Sequence, residues 1–185
     1  MQRNVFLQYL IGLGACPLMM ANVSVNAHAG NAALKTDGSA AEPTFIENWL
    51  SDLLNTMDTT LDRETQEKLL AGCGRGCFNR HSFKQNIAAK GKGDIDELLK
   101  AYREFFEAWI EDDKFHIRFG ETSSICYCPV VQNIKPKPND IHCECTRATQ
   151  QAILETALGK PVKVEIVESL RRGGKTCHFV ADYKV

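Results

Sequence analysis

The sequence predicts an α+β domain in which N-terminal amphipathic helices pack on a C-terminal antiparallel sheet with one inserted helix. Three observations support this class. Apolar residues recur every three or four positions between Thr44 and Ile110, whereas short alternating stretches follow Asp113. The last two of these stretches flank a glycine-containing turn, which is typical of a β-hairpin. Helices first and strands afterwards is an order expected of an α+β fold.

The first 29 residues have the features of an export signal. Arg3 is the only charge in this segment, an apolar stretch covers residues 5–25, and Ala27 and Ala29 supply the small residues that signal peptidase reads. We therefore expect cleavage after Ala29 and an exported protein, periplasmic or extracellular. Cys16 follows a lipidation-like sequence, so contact with a membrane through this segment, either uncleaved or lipidated at Cys16, stays open.

Residues 30–43 are rich in Ala, Gly and Ser and are expected to form a flexible tether. A single cysteine-rich α+β domain is then predicted over residues 44–185. The whole chain has 22 Lys plus Arg against 23 Asp plus Glu, a formal net charge of -1, and its like charges form no long run. Because a phosphate backbone is held by a concentration of positive charge, we expect no nucleic-acid partner.

Two helices are predicted at the start of the domain. The first begins after Thr44, which serves as its N-cap, and its apolar residues lie on one face expected to point inward. These residues are Phe45, Ile46, Trp49, Leu50, Leu53, Leu54 and Met57. The second helix begins at Asp62 and is expected to end at Gly72, because a glycine-rich segment that contains Cys73 and Cys77 follows.

A third helix and the first strands come next. Asp94 and Glu97 form a capping box, and the apolar periodicity that follows predicts a helix through Ile110. Residues 115–119 alternate between apolar and polar side chains, as in a half-buried strand, and residues 125–131 are expected to pair with them.

The remaining elements are a loop, a helix and a hairpin. Proline residues predict an exposed loop between Gln132 and His142. Thr146 is expected to cap a helix that ends at Gly159, and residues 162–167 and 178–183 are expected to form the closing hairpin.

Two stretches near the C-terminus have a recognisable sequence. They are Leu-Gly-Lys-Pro-Val-Lys-Val-Glu at 158–165 and Gly-Gly-Lys-Thr-Cys-His-Phe at 173–179. Together with the helix before them, they resemble the ending of ligand-binding domains of the 4-vinyl-reductase type. A similar ending occurs in the L-2-amino-thiazoline-4-carboxylic acid hydrolase family.

The first resemblance implies a small-molecule sensor or accessory fold. Zinc-bearing members of that family take ligands from a cysteine before the helix and from the final hairpin, and Cys143 or Cys145 and Cys177 match those places. Ser169 and Ile166 stand where further ligands are expected. The resemblance therefore implies that a metal site in this chain would be built differently.

The cysteines themselves are arranged in pairs. Two Cys-x-Cys units on either side of one loop would bring four thiolates together, which suits zinc or, as an alternative, an iron–sulfur centre. The candidate metal ligands are Cys126, Cys128, Cys143, Cys145 and Cys177. Further candidates are Cys73, Cys77, His142 and His178.

Three classes of function stay open. The first is an exported, non-catalytic domain that binds a metal ion or small ligand through the paired cysteines. The second is a hydrolase of the thiazoline-carboxylate type, acting on a small C–N or C–S substrate. The third is a disulfide-stapled interaction module, because exported proteins oxidise their cysteines. We favour the first because the paired cysteines and the family resemblance point to the same region.

Overall fold

A computed structural model describes residues 44–131 and 134–184, all within one compact unit that spans Ala41–Val185. The helices are α1 (Phe45–Thr60), α2 (Arg63–Arg80), α3 (Ser82–Lys90), α4 (Ile95–Arg103) and α5 (Cys143–Leu158). The strands are β1 (Glu107–Glu111), β2 (Lys114–Arg118), β3 (Lys163–Glu168) and β4 (His178–Asp182). The predicted α+β class is confirmed. The predicted export signal, the tether and Cys16 lie outside the described residues.

The four strands form one antiparallel sheet in the order β1-β2-β4-β3. This confirms the predicted hairpin of β3 and β4 and the predicted strand β2. Helix α4 ends at Arg103, so the prediction of a helix through Ile110 is wrong. Residues 107–111 instead pair with β2, because Asp112 and Asp113, with φ of 48° and 60°, form a tight two-residue hairpin turn.

Helix α2 does not end at Gly72 but continues through the glycine-rich segment to Arg80. The reason is the close contact between α2 and α5. A Cβ atom on Gly74 would overlap the Cys145 carbonyl oxygen and lie 2.8 Å from the Ala148 Cβ, so the absence of a side chain lets the two helices meet. Gly74 therefore serves helix packing rather than helix termination.

Two further predictions about the central loop are wrong. Residues 125–131 form no strand; they are irregular and end in a short 3-10 turn, Pro129–Val131. Helix α5 begins at Cys143 rather than after Thr146. The end of the predicted exposed loop is buried as well, because the Arg171 guanidinium binds the Asp140 carboxylate there, with both side chains buried.

The main core lies between the helices and one face of the sheet. Its fully buried residues include Leu98 and Tyr102 of α4, Phe115 and Ile117 of β2, and Leu154 of α5. The alternate residues of β2 and β4 face away from this core, on the outer face of the sheet. Helix α5 thus contacts the sheet on one side and α2 on the other.

Helix α1 is the least buried of the helices. The predicted capping of α1 by Thr44 is confirmed by hydrogen bonds with Glu47 in both directions. The prediction of an inward apolar face is wrong for the first half of the helix, because Phe45 and Trp49 are 85% and 56% exposed. Only Met57 is buried. In the described part of the chain, no helix is both long enough and apolar enough to cross a membrane.

Candidate functional site

Four cysteines from three separate segments of the chain lie near one another. Cys73 and Cys77 come from α2, Cys145 from the first turn of α5, and Cys128 from the loop between β2 and α5. Cys145 interacts electrostatically with the other three, and Cys128 does so with Cys77. We call these four residues the four-thiol cluster.

The helix geometry explains how α2 contributes two of the four thiols. Cys73 and Cys77 are one helical turn apart, so their side chains lie on the same face of α2. Gly74, between them, sits directly against α5, and the Thr149 hydroxyl donates a 3.1 Å hydrogen bond to its carbonyl oxygen. This contact fixes the α2 thiols beside the start of α5, where Cys145 lies.

A lysine completes the surroundings of the cluster. Lys84, on α3, places its Nζ atom 2.8 Å from the Cys77 sulfur. The positive charge of Lys84 also acts to lower the pKa of both Cys128 and Cys145. Sequence patterns gave no indication of Lys84, because no spacing rule relates a lysine on one helix to a cysteine on another.

Burial dominates the acid–base behaviour of the cluster. It raises the pKa of the Cys145 thiol to about 12 and also raises the pKa of the Cys128 thiol. Both groups are therefore protonated at neutral pH. A bound divalent cation would have to displace their protons, since only the thiolate is a metal ligand.

Two other cysteines lie on a different side of α5. Cys143 is buried, and its sulfur is 2.8 Å from the Ser169 hydroxyl oxygen. Burial raises the pKa of the Cys143 thiol to about 12, and the nearby Cys177 thiol acts in the same direction. We call Cys143 and Cys177 the buried thiol pair. Cys126 interacts with Cys128 and with Cys177, so it lies between the two groups.

The structure thus divides the predicted metal-ligand set. Cys128 and Cys145 belong to the four-thiol cluster, whereas Cys143 and Cys177 form the buried thiol pair. The division follows from the early start of α5: residues two apart on a helix point about 200° apart, whereas on a strand they share a face. Among the described cysteines there is no disulfide. Across residues 44–131 and 134–184, no group of three or more His, Cys, Asp or Glu side chains is arranged to hold a metal ion.

The two candidate histidines lie apart from each other. His142 is buried just before α5, neither of its ring nitrogens makes a hydrogen bond, and burial lowers its pKa. His178 lies on the outer face of the sheet, where its Nε2 atom is 3.1 Å from Nδ1 of His116 and its ring contacts Trp109. Burial, with His116 next, lowers the pKa of His178.

Sequence reasoning also missed the buried ion pair that holds the loop before α5. The Arg171 guanidinium donates to both the Asp140 carboxylate, at 2.6 and 3.0 Å, and the carbonyl oxygens of Val131, Ile134 and Lys135. A single arginine therefore ties the residues on either side of the loop to the start of α5. Position in the sequence gives no signal for such a contact, because the partners are 31 residues apart.

A family model described as a family of unknown function, DUF6144, matches residues 5–181. The chain belongs to the DUF6144 family. No curated protein matches this DUF6144 chain.

Among solved structures, the DUF6144 chain is similar to a vinyl-4-reductase family protein from Methanocaldococcus jannaschii. The identity is 14%, the match covers 77% of this chain and 82% of that chain, and the TM-score is 0.35. The resemblance to the thiazoline-carboxylate hydrolase family stays a prediction for this DUF6144 member.

Proposed function

We propose that this protein is an exported, non-catalytic domain that binds a soft metal ion, zinc in the first instance, through the four-thiol cluster. One observation supports the proposal most strongly. Cys73, Cys77, Cys128 and Cys145 come from three distant segments, yet they lie together beside Lys84. Four cysteine sulfurs are a common tetrahedral ligand set for structural zinc. The proposed set keeps Cys128 and Cys145 of the first candidates and takes Cys73 and Cys77 from the further candidates.

The positive charge near the cluster also suits a thiolate site. Four thiolates around a divalent ion leave two negative charges, and the Lys84 ammonium, 2.8 Å from Cys77, would offset one of them. Cys145 lies in the first turn of α5, where the helix dipole favours a negative charge. Because the side chains are not arranged to hold an ion as they stand in the described residues, binding requires the thiols to turn toward a shared centre.

Zinc titration of the full chain tests the proposal. The reduced protein would be titrated anaerobically in competition with a chromophoric chelator, and we expect one zinc ion per chain. Cys128→Ser is expected to weaken binding by about 100-fold or more, the share of one ligand in a four-thiolate site. The matched control is Cys143→Ser, whose sulfur faces the Ser169 hydroxyl rather than the cluster and which should retain zinc. No zinc binding, or equal loss in both variants, would contradict the proposal.

An iron–sulfur centre would use the same four thiolates. Anaerobic purification distinguishes the two metals, because an iron–sulfur protein is coloured and contains iron and sulfide, whereas the zinc protein is colourless. If the wild type contains iron and Cys128→Ser does not, the proposed ligands are correct and the metal is iron rather than zinc.

A disulfide-stapled module is a second candidate, and one observation favours it. Cys128 has the largest electrostatic effect of any thiol on Cys145, so this is the first pair to test for a disulfide in an oxidising compartment. Counting free thiols in protein recovered after export separates the candidates. Disulfide formation between Cys128 and Cys145, with no metal bound, would favour the stapled module over the zinc site.

A further inference from the structure

The contact between Lys84 and Cys77 brings an amine and a sulfur atom together, an arrangement that could support covalent chemistry as well as metal binding. Nζ of Lys84 lies 2.8 Å from Sγ of Cys77, although the two residues sit on different helices, joined by His81. Both side chains are half-buried, so a small solute can reach them. An amine nitrogen held against a sulfur atom is the nearest nucleophile to any oxidised form of that sulfur.

We propose that Cys77 and Lys84 form a reversible covalent cross-link when a peroxide oxidises Cys77. The inference does not depend on the zinc site, although it concerns one of the cysteines proposed to bind zinc. It makes the pair a modification site whose oxidant is hydrogen peroxide or an organic hydroperoxide.

The reaction balances with one peroxide. The Cys77 thiolate attacks hydrogen peroxide, takes one oxygen atom to become a sulfenic acid, and releases hydroxide. The hydroxide takes a proton from the Lys84 ammonium, which yields water and a neutral amine. The amine nitrogen then attacks the sulfur: the S–O bond breaks, an S–N bond forms, and a second water leaves. Sulfur is oxidised by two electrons, and the peroxide is reduced to two waters.

Lys84 competes well with the neighbouring thiols for this sulfur. Cys73, Cys128 and Cys145 are the competing thiols of the cluster. Nζ of Lys84 already lies 2.8 Å from Sγ of Cys77, so the amine can attack the oxidised sulfur without a movement of either helix. The contact distance therefore favours capture by Lys84.

The cross-link would also change the cluster. It removes the Cys77 thiolate as a ligand and the positive charge of Lys84 in one step. A metal held by the four thiols would then lose one of its ligands, which gives the domain a way to release the metal under oxidative conditions.

Mass spectrometry tests the proposal directly. The full chain, metal-free and reduced, would be treated with hydrogen peroxide, alkylated, and digested without reductant. We expect a pair of linked peptides that contain Cys77 and Lys84, with the summed mass less two hydrogens, and we expect dithiothreitol to separate them. An unmodified Cys77, or a disulfide between Cys77 and another cysteine as the main product, would overturn the proposal.

Two variants on α3 make the test specific. Lys84→Arg keeps a positive charge beside Cys77 but replaces the amine with a guanidinium, so the link should disappear while Cys77 is still oxidised. Lys90→Gln removes an exposed lysine from the end of the same helix, and the link should persist. A link that survives Lys84→Arg would overturn the assignment. Because the experiment uses no metal and the zinc titration uses no oxidant, either proposal can fail while the other stands.

Discussion

Cys143 and Cys145 lie two residues apart on the first turn of α5, yet they belong to different surroundings. Cys145 faces α2 and three other thiols, with the charge of Lys84 nearby. Cys143 faces the hydroxyl of Ser169 and the Cys177 thiol in a buried region. Burial raises the pKa of both thiols to about 12. Their difference is therefore one of neighbours rather than of acidity.

The two cysteines have similar thiol pKa values but different numbers of neighbouring thiols. The number of neighbouring thiols therefore separates a candidate metal site from a structural cysteine. A zinc ion displaces thiol protons when the free energy gained from several Zn–S bonds exceeds the free energy of deprotonating the thiols. The four-thiol cluster offers four such ligands and a compensating lysine. The buried thiol pair offers two, one of which already makes a hydrogen bond to Ser169.

The largest expected contrast between the two regions is in zinc affinity. Cys145→Ser removes one of four proposed ligands and should weaken binding by about 100-fold or more. Cys143→Ser, on the same helical turn, should change affinity by less than about threefold, because its sulfur faces Ser169. Chelator competition with both variants measures the difference. A comparable loss in Cys143→Ser would break the comparison.

The next effect concerns the contact that holds Cys73 and Cys77 beside α5. Gly74→Ala would place a methyl group on top of the Cys145 carbonyl oxygen, and we expect it to lower the free energy of unfolding by about 2–4 kcal/mol. Gly72→Ala, in the same helix, has no atom within 4 Å of the new Cβ and should be neutral or stabilise by up to about 1 kcal/mol. Urea denaturation of both variants provides the measurement. Equal effects would show that α2 does not pack on α5 as described.

The buried thiol pair should respond to the loss of Ser169. Ser169→Ala removes the contact with Cys143 and the hydrogen bond that the hydroxyl accepts from the Arg171 backbone N–H, so stability should fall by about 1–2 kcal/mol. Zinc affinity should stay unchanged. The exposed Ser124 is the control, and Ser124→Ala should cost less than about 0.5 kcal/mol. A change in zinc affinity on Ser169→Ala would indicate that the two regions are one site.

The smallest expected effect is a pH dependence on the Cys143 side of α5. Burial lowers the pKa of His142 below 6.5, so the unfolded chain binds its proton more readily than the folded one. The free energy of unfolding should therefore fall as the pH drops below about 6.5.

Variants identify the source of this slope. His142→Leu should remove part of it, and the remainder includes His178, whose pKa is also lowered. If the free energy of unfolding of His142→Leu depends on pH as it does in the wild type, groups other than His142 cause the dependence.

Short sequence motifs predicted the ends of helices correctly where those ends depend only on residues nearby in the chain. The Thr44 cap and the Gly159 helix end were correct, because both depend on residues a few positions apart. The helix over residues 105–110 was wrong because its apolar spacing also fits a strand, and pairing with β2 decided the outcome. The end of α2 was wrong because Gly74 serves a contact with a distant helix.

The residues of the candidate site divide in the same way, into those that sequence patterns indicate and those that depend on contacts between distant elements. The sequence pointed to the cysteines as candidate ligands and placed Cys128 and Cys145 in one group with Cys126, Cys143 and Cys177. It named Cys73 and Cys77 only as further candidates, because α2 was expected to end before them. Lys84 and the Arg171–Asp140 pair depend on contacts between elements that no spacing rule relates.

The central claim, that the four thiols share one metal ion, is tested most directly by X-ray absorption at the zinc edge of the zinc-loaded full chain. The account predicts four sulfur ligands at about 2.3 Å, the usual Zn–S distance. It also predicts one fewer sulfur in Cys145→Ser and an unchanged spectrum in Cys143→Ser. A spectrum dominated by nitrogen or oxygen ligands, or a sulfur lost from Cys143→Ser instead, would contradict it.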